Sequence, residues 1–139
     1  MKKKSSVKTA KPEVAAVLIK VIPHSEQRYD TVGDWFYQGD LLQIRVSQLP
    51  NDPHNEKALA VAFHELCEVL ICRANGITQK QVDKFDAKYN EEEGLARGDR
   101  KNAPYHNEHC FATAVERMLI AAMEIDWQSY EESINSVEA

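Results

Sequence analysis

Apolar residues fall into two kinds of run, short β-branched stretches in the first third of the chain and longer helical patterns after it. Residues 14–22 are nearly all apolar, rich in valine and isoleucine, and stop at Pro23, which predicts a strand. Residues 24–31 are polar and read as a turn or loop. Asp34, Trp35, Phe36 and Tyr37 are followed by Gln38-Gly39-Asp40 and then by residues 41–49, the layout of a hairpin closed by a glycine turn. In the second limb Leu42, Ile44 and Val46 alternate with Gln43, Arg45 and Ser47. A period of two predicts one buried face and one wet face.

The pattern then becomes helical. Asp52 with Pro53 is a start signal and Asn75-Gly76 a stop, bounding a helix with apolar residues on most of its faces. Ala58, Leu59, Val61, Ala62, Phe63, Leu66, Val69, Leu70 and Ile71 make it the expected buried centre of the domain. Thr78 and Gln81 form a capping box, so a second helix starts at Gln79, with Val82, Phe85 and Tyr89 as its stripe and Asp83 and Asp86 on a solvated face. Residues 91–103, charged and containing Gly94 and Gly98, read as an exposed loop able to act as a lid. Pro104 opens a third helix over residues 105–124, packed through Val115, Met118, Leu119, Ala122 and Met123. Asp126 caps a short last helix carrying Trp127, Tyr130 and Ile134. The expectation is an α+β fold, a small antiparallel sheet of about three strands packed on a central buried helix with two to three further helices.

Length and charge narrow this reading. The 139 residues suit one domain, expected at 13–139, and the lysine- and serine-rich residues 1–12 predict a disordered basic tail. A net charge of -5 argues against a general nucleic-acid binder. The apolar runs are too short for a membrane span, and Met1-Lys2-Lys3-Lys4 is not followed by a signal core, so a cytoplasmic protein is expected. Cys67, Cys72 and Cys110 lack metal-site spacing and read as reduced core thiols.

The candidate chemistry sits inside the central helix. His64, Glu65 and Glu68 interrupt an apolar run, and a buried carboxylate is costly without a partner that holds it charged. A metal ion is such a partner, and His64 and Glu68, one turn apart, can reach the same ion. A second polar cluster, His106, Glu108, His109 and Cys110, opens the third helix. His109, deeper in that helix, is the expected third ligand, with His106 as a spare. Glu116 can hold the far nitrogen of a ligating histidine, or pair with Arg117. His24 and His54 lie in polar segments and are expected to face solvent. A carboxylate-bridged two-metal site using Glu65, Glu68 and Glu108 is a remoter arrangement.

His64-Glu65-Leu66-Cys67-Glu68 resembles the H-E-x-x-H signature of zincin metallopeptidases, with Glu68 in place of the second histidine. The resemblance implies a zincin-like fold, bound zinc held by His64, Glu68 and His109, and Glu65 as the catalytic base of a minimal peptidase. Manganese or iron would also accept that ligand set. The strand of residues 42–49 would then be an edge that pairs with an extended peptide or protein substrate. The stretches Ala62 to Glu68 and Ala103 to His109, with Asp126-Trp127, are similar to small phage- and prophage-encoded proteins, which implies a bacterial host cytoplasm. The competing expectation is a non-catalytic phage protein with a structural metal site or a buried polar network, acting by binding a host or phage protein. The position of Glu65 separates the two.

Overall fold

A computed structural model describes residues 11–88 and 97–138; most of the expected basic tail, Tyr89 and the first half of the expected loop lie outside them. Among the described residues the order is β1 (Ala16–Ile22), a 3₁₀ turn (His24–Glu26), β2 (Gly33–Gln38), β3 (Leu41–Ser47), α1 (Glu56–Ala74), α2 (Gln79–Lys88), a second 3₁₀ turn (Arg97–Asp99), α3 (His106–Ala122) and α4 (Trp127–Asn135). The α+β expectation holds in this form. No described helix is long and apolar enough to cross a membrane.

The sheet is mixed rather than antiparallel. Its strand order is β1-β3-β2, with β2 antiparallel to β3 and β1 parallel to it. The hairpin forms as expected, with Gly39 at φ 60 in the left-handed region that the turn requires. Because β1 and β2 lie on opposite sides of β3, the connection between them must cross the sheet. That crossing corrects a second expectation, the wet face. Gln27 donates to the carbonyls of Val32 and Arg45 and to Ser47 Oγ, and His24 Nδ1 lies 2.8 Å from Ser47 Oγ. Ser47 is therefore buried, Gln43 is buried too and donates to Gln38 Oε1, and His24, bound also to Asp30 at 2.6 Å, is not a solvent-facing histidine. His54 is exposed as expected.

On the other face Trp35, Leu42, Ile44 and Val46 pack under α1, whose Ala58, Ala62, Val69 and Cys72 are fully buried. The alanines let helix and sheet approach closely. The start of α1 is three residues later than Pro53: Asn55 sits in the left-handed region at φ 57, and Asp52 reaches forward to accept from the N–H groups of Lys57 and Ala58, each at 3.0 Å. Its end is as expected, Gly76 at φ 74 with the Ile77 N–H bonded to Cys72 O at 2.9 Å. The expectation that α1 is packed on most faces holds except along one apolar stripe. Leu59, Phe63 and Leu70 are exposed, because a three-stranded sheet covers one side of α1, α3 covers another, and a third remains open.

Helix α3 is also turned differently from its apolar pattern. Its buried residues are Glu108, Ala112, Glu116 and Ile120, while Met118 is 73% exposed. Acids win the interior positions because the facing helix offers them partners. Helix α2 begins with the predicted capping box, Thr78 N–H to Gln81 Oε1 at 2.9 Å and Gln81 N–H to Thr78 Oγ at 3.3 Å. Helix α4 is capped by Asp126, which accepts from the Ser129 N–H at 3.0 Å, and it buries Tyr130 completely. Of the cysteines, Cys72 is buried, Cys67 half-buried and Cys110 exposed, so the last is not a core thiol.

Candidate metal centre

Three donor atoms converge where α1 meets α3. His64 Nε2 lies 3.2 Å from Glu68 Oε2, and His109 Nδ1 lies 3.0 Å from that oxygen and 3.2 Å from His64 Nε2. The i, i+4 spacing on α1 supplies the first two donors and the start of α3 the third. All three side chains are largely buried. His64, Glu68 and His109 thus form one group of donors able to hold an ion.

The atoms facing away from this point are held in turn. His64 Nδ1 is 2.8 Å from Glu116 Oε1, and the other Glu116 oxygen accepts from the Tyr130 hydroxyl. His109 Nε2 is 3.2 Å from Asp99 Oδ1 in the second 3₁₀ turn. Trp35 Nε1 donates to Glu68 Oε1 at 3.1 Å. A neutral imidazole that gives its far N–H to such a carboxylate would turn a lone pair toward the shared point, the outer-shell arrangement that metal-binding histidines use. The donor chemistry fits a divalent first-row ion.

The electrostatics describe the same cluster as an ion-pair network. Burial alone would raise the Glu68 carboxyl, but hydrogen bonds from His109 and His64 override it and hold the group at about 2. Burial opposes charging of His109, yet Asp99 and Glu68 bring it up to about 9. His64 is likewise raised, against its burial, by Glu116 and Glu68. Glu65 behaves differently. Burial, reinforced by the charge of Glu68, pushes its carboxyl well above the usual range.

Glu65 is 9% exposed, and no hydrogen bond joins its carboxylate to any described residue. It lies against Gly33, where an added Cβ would overlap it, and it lines a cavity of about 60 Å³ with Trp35, Glu68, Asp86, Arg97 and His109. An unpaired buried carboxylate beside a metal-type donor set has the position of a proton acceptor.

Several expected placements change. His106 stands outside the donor group; its Nδ1 is 2.9 Å from Gly98 O. Glu108 accepts from Asn75 Nδ2 at 3.0 Å and stands apart from the cluster, so the carboxylates expected to bridge two ions are not brought together among the described residues. Arg117 stacks over Trp127, 4.8 Å from the ring centroid, rather than pairing with Glu116. Asp86 faces the cavity and accepts from the Tyr105 hydroxyl at 2.6 Å, and Asp83 pairs with Arg28 at 3.1 Å, so neither belongs to a plain solvated face. Strand β3 is paired on both sides and cannot be the substrate-binding edge. The outer edge of β2 is occupied too: Thr31 donates to Gly33 O at 3.1 Å and the Tyr37 N–H donates to Gln79 Oε1 at 2.8 Å. Sequence reasoning missed Asp99, Trp35 and Tyr130, and among these only Asp99, an acid in a charged loop beside the expected ligand helix, carried a visible signal.

No known protein-family model matches the chain, and neither curated proteins nor solved structures give a significant match.

Proposed function

We propose that the chain is a metal-dependent hydrolase of small substrates, with zinc as the ion and His64, Glu68 and His109 as its ligands. A bound ion would supply Lewis-acid polarisation of a carbonyl and lower the pKa of water. Glu65 takes the proton of the attacking water and returns it to the leaving group, a role suited to a carboxyl whose proton affinity is raised. Glu116 and Asp99 fix the two imidazoles, and Trp35 fixes Glu68, so the donors stay directed at one point through the cycle.

The observation that carries this reading is Glu65, buried, unpaired and facing the cavity beside the three donors. A purely structural site would use Glu65 as a further ligand or tie it to Arg117, and Arg117 lies on Trp127 instead. The occupied edge of β2 favours a substrate that inserts one hydrolysable group over an extended peptide that adds a strand.

Elemental analysis of chelator-free, untagged protein tests the reading. Wild type should carry about one equivalent of zinc, His64→Ala should lose it, and Glu65→Gln should keep it while losing amide or ester hydrolysis. Protein that takes up no metal even when zinc is supplied would overturn the proposal.

A further inference from the structure

Strand β1 is seven residues long and stands at the edge of the sheet, with its outer backbone groups facing no described strand. Edge strands are ordinarily blunted by charges, prolines, bulges or short length, because an open row of N–H and C=O groups recruits another strand. Here the strand reads Ala-Val-Leu-Ile-Lys-Val-Ile, with Lys20 as its one charge, and its first five residues are exposed. The register aligns Val17 with Leu42 and Ile19 with Ile44, which puts both side chains on the face that packs under α1. They remain 45% and 40% exposed because α1 sits over the other two strands.

The open side of α1 continues this surface. At about 100° per residue, Leu59, Phe63, Leu66 and Leu70 fall within roughly a 60° sector of the helix. That sector lies on the far side of the sheet-facing Ala58, Ala62 and Val69 from the metal centre, hence on the side of β1. Taking roughly 150–200 Å² per large side chain, the exposed parts of Val17, Ile19, Leu59, Phe63 and Leu70 on this face amount to about 400 Å², against about 800 Å² per partner in a standard interface. The backbone edge of β1 and Leu66 lie in the same surface, and Leu18 and Lys20, on the opposite face of β1, add to the area that a strand paired at this edge covers.

We infer that a second copy of this chain covers the patch, with β1 pairing antiparallel to its own counterpart about an axis at Ile19. A two-fold interface must be self-complementary, and this strand is. Val17 meets Val21, Leu18 meets Lys20, and no like charges face each other. The sheet becomes continuous across six strands in the order β2-β3-β1-β1-β3-β2, and the two α1 helices lie on the same side with their open leucine faces turned toward each other. Both metal centres stay outside the interface, so this inference is independent of the proposed chemistry.

Sedimentation velocity or light scattering on the full chain at micromolar concentration tests it. Wild type should run at twice the 15.8 kDa chain mass. Ile19→Lys, which sets two ammonium groups on the axis, should run as a monomer with an unchanged circular-dichroism spectrum. Leu70→Glu, at a position 54% exposed and therefore harmless to the fold, should weaken the dimer in the same way, whereas Met118→Glu on the outer side of α3 should not. A monomeric wild type, or a dimer indifferent to both Ile19→Lys and Leu70→Glu, would overturn the inference.

Discussion

The Glu116 carboxylate on α3 is 2.8 Å from Nδ1 of His64 on α1, across 52 residues of sequence, and it also accepts from Tyr130 on α4. A single buried acid thereby couples three helices to the orientation of one metal-type ligand. Its two bonds make separable predictions. Glu116→Gln removes the charge that sets the His64 tautomer and should weaken zinc about 10- to 100-fold, read by competition with a chromophoric chelator. Tyr130→Phe leaves that bond in place and strips a partner from a buried oxygen. It should cost about 1–3 kcal/mol in chemical denaturation and change zinc affinity little.

Asp99 holds His109 from a 3₁₀ turn, next to a glycine that the site cannot replace. A Cβ on Gly98 would overlap the His109 ring, and one on Gly33 would overlap the Glu65 carboxylate. Gly98→Ala should therefore lower bound zinc by displacing a ligand, with the far-ultraviolet spectrum unchanged. Gly33→Ala should retain the zinc and lose hydrolysis, because it displaces the proposed base. Loss of metal from both variants alike would mean that the ligands and Glu65 are not separately positioned.

The polar cluster was legible because its chemistry conflicts with its surroundings: His64, Glu65 and Glu68 interrupt an apolar helix, and His109 repeats the conflict at the start of α3. The strands and the starts of α2 and α4 were legible from β-branched runs and from caps with local causes, Thr78 with Gln81 and Asp126 with Ser129. What could not be read was long-range. The parallel pairing of β1 with β3 depends on where residues 23–32 cross the sheet, which alternation within β3 does not encode. The inward face of α3 followed its acids rather than Met118, because Glu116 finds His64 and Tyr130 only after folding. The outer helpers, Asp99 and Trp35, are ordinary residues until the chain brings them to His109 and Glu68.

Asp86 supplies a prediction about pH. It lies on the cavity wall, and its carboxyl is pushed up to about 6, chiefly by burial, despite the hydrogen bond from Tyr105. The folded chain therefore binds this proton more tightly than the unfolded chain, where an aspartate titrates near its ordinary value. The contribution is fully present below about pH 4 and is lost as pH rises through about 6, so it lowers stability at neutral pH by an amount on the order of 3 kcal/mol. Asp86→Asn keeps a carbonyl for the Tyr105 hydroxyl and removes the titration. In urea unfolding at pH 4.5 and pH 7.5, the variant should gain stability relative to wild type at the higher pH and approach it at the lower. An equal difference at both pH values would show that the Asp86 proton is not coupled to folding.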